Sequence, residues 1–194
     1  MEVGGVKGRS GRRRQLVTEF RQDGREMSLA VPRIEQATGF ECGNTSLAAV
    51  ARFYGQSTTP ADFARLANTR TVGTDHADMI AAARAAGAQV EATANGTLDE
   101  LAAWIAQGVP VIVGWWSMEP GDRDWRRRAR RLRRKKDCGH YSVVVDVTDT
   151  AVRLMDPQED PREHFTREEF LRVWYDTDTH RYVKVTRWFL AMRF

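Results

Sequence analysis

Apolar residues follow a helical period in the first half of the chain. Between Gly43 and the turn residue Gly55, apolar side chains at positions i, i+3, i+4 and i+7 indicate an amphipathic helix. These side chains are Leu47, Val50, Ala51 and Tyr54. Similar patterns predict three further helices, over residues 58–67, 74–87 and 97–108. The first half of the chain is therefore predicted to be largely helical.

Strand-like patterns dominate the second half. Residues 109–116 form a continuous apolar run, as expected of a central strand that is buried on both faces. Residues 140–147 and 151–156 flank a short turn and predict a hairpin. We also expect a strand over 15–22, a helix over 165–175 and a strand or pair of strands over 181–194. This order predicts an α+β domain whose N-terminal helical part packs on a C-terminal antiparallel sheet.

The composition narrows the class of protein. A chain of 194 residues with 42% hydrophobic residues and six Trp is expected to fold as one globular domain. Two cysteines argue against a disulfide scaffold and favour a reducing compartment. The arginine-rich N-terminus lacks the apolar core of a signal peptide, and no window reaches the roughly 18 apolar residues of a membrane span. We therefore expect a cytoplasmic protein without a transmembrane segment.

Positive charge is concentrated in two segments. The net charge is +4, yet residues 123–136 contain ten Arg or Lys and one acid, which gives this stretch a charge of +9. Residues 1–14 are rich in Gly and Arg without periodicity and predict a flexible basic tail. We expect residues 15–194 to form a single domain with a basic insertion at about 118–137.

One of the two cysteines lies at the start of the first predicted helix. Cys42 would sit at the positive end of the helix dipole, which favours the thiolate, the nucleophilic form of cysteine. Gly43 follows directly and allows a substrate to approach the backbone closely. This placement predicts a nucleophilic thiol, which needs a base and a group that orients the base.

The predicted hairpin supplies both groups. His140 begins its first strand and Asp156 ends its second strand, so the two positions lie at the same open end. His140 would accept the thiol proton, and Asp156 would hold the imidazole in the required tautomer. The amide of Gln36 and the backbone N–H of Cys42 could form an oxyanion hole. These residues predict nucleophilic attack on a carbonyl.

The order of these motifs resembles a known enzyme family. Gln36 is followed by Cys42–Gly43 at a helix start, by Gly139–His140–Tyr141 before an apolar strand, and by Asp156–Pro157. This order is similar to that of the papain-like peptidases that process bacteriocin leaders. Those domains cut after a double glycine and are often fused to an exporter. The resemblance covers about residues 32–174, most of the chain.

The resemblance implies a papain-like cysteine peptidase fold and a role for each matching residue. Gln36 matches the oxyanion glutamine of the family and Cys42 the nucleophile. His140 matches the base and Asp156 the orienting acid, with Gly139 beside the site.

This sequence departs from the family pattern at three points. The acid usual before the nucleophile is Glu41, and Ser46 stands where a second cysteine is often found. The third departure is the insertion of residues 117–138, which separates the central strand from His140.

Several functional hypotheses remain open at this stage. A thiol-dependent hydrolase would attack an amide or thioester carbonyl and pass the acyl group from Cys42 to water. The same site would be an acyltransferase or amide-bond-forming enzyme if the acceptor were an amine. A non-catalytic peptide-binding module is the alternative from another class. We expect no cofactor, because Cys42, Cys138 and His140 lack a spaced pair of metal ligands.

Roles for the remaining candidates follow from their positions. Cys138 is either a redox partner that forms a reversible disulfide with Cys42 or a passive neighbour. His76, His164 and His180 lie in polar surroundings, and we assign them no role.

The basic insertion ends two residues before His140, so we expect it to cover the mouth of the site. It could recruit an acidic peptide, an anionic membrane surface or nucleic acid. We favour a recruiting segment for a peptide or acyl substrate, because no sequence-specific nucleic-acid motif is present. The residues expected to recruit substrate are Trp125, Arg126, Arg127, Arg130 and Arg131.

Overall fold

The computed structural model describes residues 28–71, 73–117, 139–178 and 183–194. The predicted tail, the predicted strand over 15–22 and the basic insertion lie outside the described residues. So do six candidate residues, namely Trp125, Arg126, Arg127, Arg130, Arg131 and Cys138. Their predicted roles stay predictions.

Five α-helices occur in the described residues, and each was expected from the sequence. They are α1 (Cys42–Phe53), α2 (Pro60–Leu66), α3 (His76–Ala85), α4 (Leu98–Ala106) and α5 (Arg167–Val173).

Capping boxes define where three of these helices, α2, α4 and α5, begin. At α4, Thr97 Oγ1 accepts a hydrogen bond from the Glu100 backbone N–H at 3.1 Å. Glu100 Oε2 accepts one from the Thr97 backbone N–H at 2.7 Å.

The strands form one large and one small antiparallel sheet in the described part of the chain. They are β1 (Gln89–Thr93), β2 (Val111–Trp116), β3 (Gly139–Val147), β4 (Ala151–Met155), β5 (His164–Thr166), β6 (Tyr175–Asp178), β7 (Val183–Thr186) and β8 (Phe189–Arg193). The large sheet has the order β1-β8-β2-β3-β4-β5, and β6 pairs with β7. The predicted hairpin is present as β3 and β4, and the predicted central strand as β2.

Helices cover both faces of the large sheet. Tyr141 and Val143 of β3 share one hydrophobic cluster with buried residues of α1, α2 and α3. Val144 of β3 belongs to a second cluster, with Leu101 of α4 and Phe170 of α5. Because side chains alternate along a strand, β3 contributes to both cores. The α+β class predicted from the sequence is confirmed.

Helix α1 is the central helix of the first core. Its residues from Cys42 to Ala51 are all buried. Ser46 Oγ donates a hydrogen bond to the Tyr141 backbone carbonyl of β3 at 3.2 Å. This packing places the first turn of α1 beside the beginning of β3, where the candidate residues lie.

No helix in the described ranges is long and apolar enough to cross a membrane.

Candidate active site

Cys42 is the first residue of α1 and is 7% exposed. A turn precedes it, in which the Glu41 backbone N–H donates to the Thr38 carbonyl at 3.3 Å. Glu41 is the N-cap residue, and its side chain makes no capping hydrogen bond. Cys42 therefore lies among the free backbone N–H groups of the helix start, where a negative charge is stabilised.

His140 and Asp156 form a buried pair. His140 Nε2 lies 2.6 Å from Asp156 Oδ1, and the two side chains are 3% and 1% exposed. The hairpin creates this contact, because His140 is the second residue of β3 and Asp156 directly follows β4. The Cys42 side chain also acts on the imidazole, because its charge and its hydrogen bonding both raise the pKa of His140. The structure thus brings Cys42, His140 and Asp156 together.

The electrostatics of the pair favour two opposite charges. Burial lowers the pKa of His140, but the negative charge of Cys42 and the hydrogen bond to Asp156 outweigh it and raise this pKa to about 10. Burial raises the pKa of Asp156, whereas the hydrogen bond and charge of His140 lower it below its ordinary value. An imidazolium beside a carboxylate is therefore the favoured state near neutral pH.

Additional donors surround the Asp156 carboxylate. Oδ1 accepts from Ser142 Oγ at 3.3 Å and from the Gln158 backbone N–H at 3.2 Å. Oδ2 accepts from the Arg162 backbone N–H at 2.9 Å. Trp115 Nε1 in turn donates to Ser142 Oγ at 3.0 Å. These contacts fix the carboxylate in one orientation and favour its ionised form.

Gln36 is tied to the loop that follows Asp156. Its backbone N–H donates to the Pro157 carbonyl at 2.9 Å. Its side-chain Nε2 donates to the Thr38 carbonyl at 2.7 Å, and Oε1 is buried without a hydrogen-bond partner. Since an amide nitrogen carries two hydrogens, one donor of Gln36 is not used by Thr38.

The two candidate glycines have different surroundings. A Cβ atom on Gly43 would lie 2.7 Å from Met79 Sδ and 3.2 Å from the Tyr141 ring, so a larger residue there would force these neighbours to shift. Gly139 is the first residue of β3 and pairs with Trp116 of β2. Gly139 directly precedes His140 in this strand.

A second histidine, His76, is half-buried beside Tyr141, between an aromatic ring and a carboxylate. His76 stacks on Trp188 with ring centroids 4.2 Å apart, and its Nε2 lies 3.5 Å from Asp176 Oδ2. A Cβ on Gly114 would lie 3.0 Å from His76 Nε2 and 3.1 Å from Asp176 Oδ2. The glycine in the apolar run of β2 is the sequence signal of this close packing.

Within the described ranges, no three His, Cys, Asp or Glu side chains are grouped closely enough to hold an ion. Cys42, His140 and Asp156 lie next to one another in the order in which a thiol, a base and an acid are arranged for acyl transfer.

This fold is that of the papain-like cysteine peptidases. The model of the Peptidase_C39 like family matches residues 28–181, and the chain belongs to that family. An uncharacterized protein of Methanothermobacter marburgensis is 30% identical over 124 residues, which cover 64% of this chain and 70% of that protein. Family membership supports a cysteine peptidase function.

Solved structures of similar fold confirm the papain-like architecture. A putative C39-like peptidase from Bacillus anthracis has a TM-score of 0.60 at 15% identity, with 85% of this chain and 95% of that chain covered. The peptidase domain of Streptococcus ComA, a bi-functional ABC transporter, has a TM-score of 0.58 at 21% identity and coverages of 84% and 96%. A double glycine motif protease from an AMS/PCAT transporter was solved in complex with the leader peptide. It has a TM-score of 0.58 at 18% identity, with 85% of this chain and 92% of that chain covered.

Proposed function

We propose that this protein is a cysteine peptidase that cleaves a peptide amide bond through Cys42. His140 is the general base, Asp156 orients it, and Gln36 contributes to the oxyanion hole. The observation that carries this proposal is the buried 2.6 Å contact of His140 with Asp156 beside the Cys42 thiol at the start of α1.

Acylation follows from this geometry. The Cys42 thiol gives its proton to His140, and the thiolate sulfur attacks the carbonyl carbon. The carbonyl oxygen becomes an oxyanion, which the Cys42 backbone N–H and the free amide hydrogen of Gln36 stabilise. The imidazolium of His140 then gives its proton to the leaving amine. The C–N bond breaks, and a thioester to Cys42 remains.

Deacylation completes the cycle. His140 removes a proton from water, whose oxygen attacks the thioester carbonyl and displaces the Cys42 sulfur. The products are a free carboxylic acid and the regenerated thiol. An amine acceptor would give an amide by the same route, so the acceptor separates a peptidase from an acyltransferase.

A peptide is the substrate class that we propose. The similar double glycine motif protease was solved in complex with a leader peptide. We therefore infer a peptide that carries a double glycine before the cleaved bond.

The test is incubation of the protein with synthetic peptides that contain Gly-Gly at one internal position, followed by mass spectrometry. Two fragments whose masses sum to the peptide plus one water indicate hydrolysis. Fragments joined to added hydroxylamine indicate transfer, and intact Gly-Gly peptides contradict the proposal.

Replacement of Gln36 tests the oxyanion hole. We expect Gln36→Ala to lower kcat by about 10²–10³-fold with a small change in KM, since the lost donor acts on the transition state. Steady-state cleavage of the Gly-Gly peptide measures both constants. Gln89→Ala, at an exposed position of β1, is the matched control and should retain wild-type kcat. A kcat for Gln36→Ala within threefold of the control would remove Gln36 from the mechanism.

A further inference from the structure

Gln158 contacts both His140 and Asp156. Its side-chain Nε2 lies 3.3 Å from His140 Nδ1. Its backbone N–H donates to Asp156 Oδ1, which also binds His140 Nε2. The sequence pattern predicts no role for Gln158, and the residue is half-buried in the loop after β4.

The direction of the side-chain contact follows from its chemistry. An amide NH₂ can only donate, so Nδ1 must present its lone pair to Gln158. Such a contact belongs to the neutral imidazole with its proton on Nε2, where Asp156 accepts it, and not to the imidazolium that Cys42 and Asp156 favour. This is the tautomer that can take a proton from Cys42 at Nδ1.

We propose that Gln158 is a positioning residue that selects this tautomer and restrains protonation of His140 at Nδ1. The proposal rests on the catalytic pair proposed above. A donor aimed at Nδ1 stabilises the neutral imidazole and must turn away when Nδ1 carries a proton. Gln158 therefore opposes Cys42 and Asp156, which favour the imidazolium. The balance keeps His140 able to accept and return a proton.

The charged groups next to His140 and Gln158 must stay in place when the side chain of Gln158 is changed. Cys42 of α1 and Asp156 after β4 act on His140 directly. The Arg33 guanidinium donates to the Gln158 backbone carbonyl at 2.7 Å. Because Arg33 and Asp156 bind the backbone of Gln158, a change of its side chain leaves both contacts in place.

The test is an NMR titration of the His140 imidazole in a Cys42→Ala background, where no thiolate complicates the curve. We expect Gln158→Leu to raise the pKa of His140 by about 0.4–1 pH unit, the equivalent of one hydrogen bond. The added apolar side chain would by itself lower this pKa, so a rise identifies the lost donor. Gln158→Glu should raise it at least as much. Gln89→Leu is the matched control and should leave it unchanged.

The outcomes separate this inference from the proposed function. An unchanged or lower pKa of His140 in Gln158→Leu overturns the role of Gln158. If Gln158→Leu does not fold, the absence of a rise in Gln158→Glu has the same consequence. Comparison of the wild type with Cys42→Ala judges the catalytic pair independently. Loss of the thiolate should lower the pKa of His140, and an unchanged value would contradict the pair itself.

Discussion

Replacement of Cys42 by alanine is expected to reduce peptide cleavage by at least about 10⁴-fold, because no other group would form the acyl-enzyme. Cys42 lies at the start of α1 and raises the pKa of His140 through its charge and hydrogen bonding. Alanine removes the sulfur without adding volume to the buried position, so the fold should persist. Cleavage of the Gly-Gly peptide, with circular dichroism as a check of the fold, measures the effect.

The chain offers a matched control for this variant. Cys138→Ser changes the other cysteine and should retain cleavage within a few-fold of the wild type. Activity of Cys42→Ala within tenfold of Cys138→Ser would show that the thiol of Cys42 is not the nucleophile. Loss in Cys138→Ser alone would move the chemistry to Cys138.

Replacement of Asp156 by asparagine should lower kcat/KM by about 10²–10⁴-fold. The amide cannot stabilise the imidazolium of His140, and its NH₂ would face groups that themselves donate, such as Ser142 Oγ. The pKa of His140 should fall, since both contributions of Asp156 raise it. Asp149→Asn, in the exposed turn of the same hairpin, is the control. Equal kcat/KM values for the two variants would contradict an orienting role.

The same variant should also be less stable at neutral pH, by about 1–3 kcal/mol, because a buried donor is left unpaired. The folded-state pKa of Asp156 is lowered from 3.8, so its contribution is present above that value and is lost as pH falls through the lower folded value. The pKa of His140 is raised from 6.5 to about 10, so its contribution is present below 6.5 and is lost as pH rises through about 10. Urea unfolding should therefore show a gap between wild type and Asp156→Asn that narrows at both extremes.

The sequence predicted those parts of the fold best that depend on a single local constraint, such as the turn of a hairpin or the period of a helix. The alternation of strand side chains and the tight turn of the hairpin determine that His140 and Asp156 meet. The helical period from Gly43 onward located α1 within one residue of its observed start. Both predictions depend on local chain geometry, which residue spacing records directly.

Other strands escaped prediction because they carry little apolar signal. Strand β1 lies at an edge of the large sheet and has mostly exposed or half-buried residues. Strand β5 has three residues, and β6, with the sequence Tyr-Asp-Thr-Asp, belongs to the small sheet. Strand β1 also pairs with β8, which is distant in sequence, so tertiary contacts outweigh local preference there.

The residues that form hydrogen bonds with the catalytic pair were also not predicted from the sequence. Ser142 lies two residues after His140 on the same face of β3, and this spacing could have indicated it. The hydrogen bond from Trp115 and the side-chain contact of Gln158 depend on how β2 and a loop meet β3. No spacing rule predicts such contacts.

The proposed mechanism depends most on the thiol–imidazole pair of Cys42 and His140, which alkylation by iodoacetamide can test. The rate is read on the peptide that contains Cys42, at pH 6 and at pH 9, in the wild type and in His140→Ala. A thiolate held by the imidazolium should react at similar rates at both pH values in the wild type. In His140→Ala the ratio of the rate at pH 6 to that at pH 9 should fall by about 10²-fold, as for an ordinary thiol. Equal ratios in the two proteins would contradict the pair.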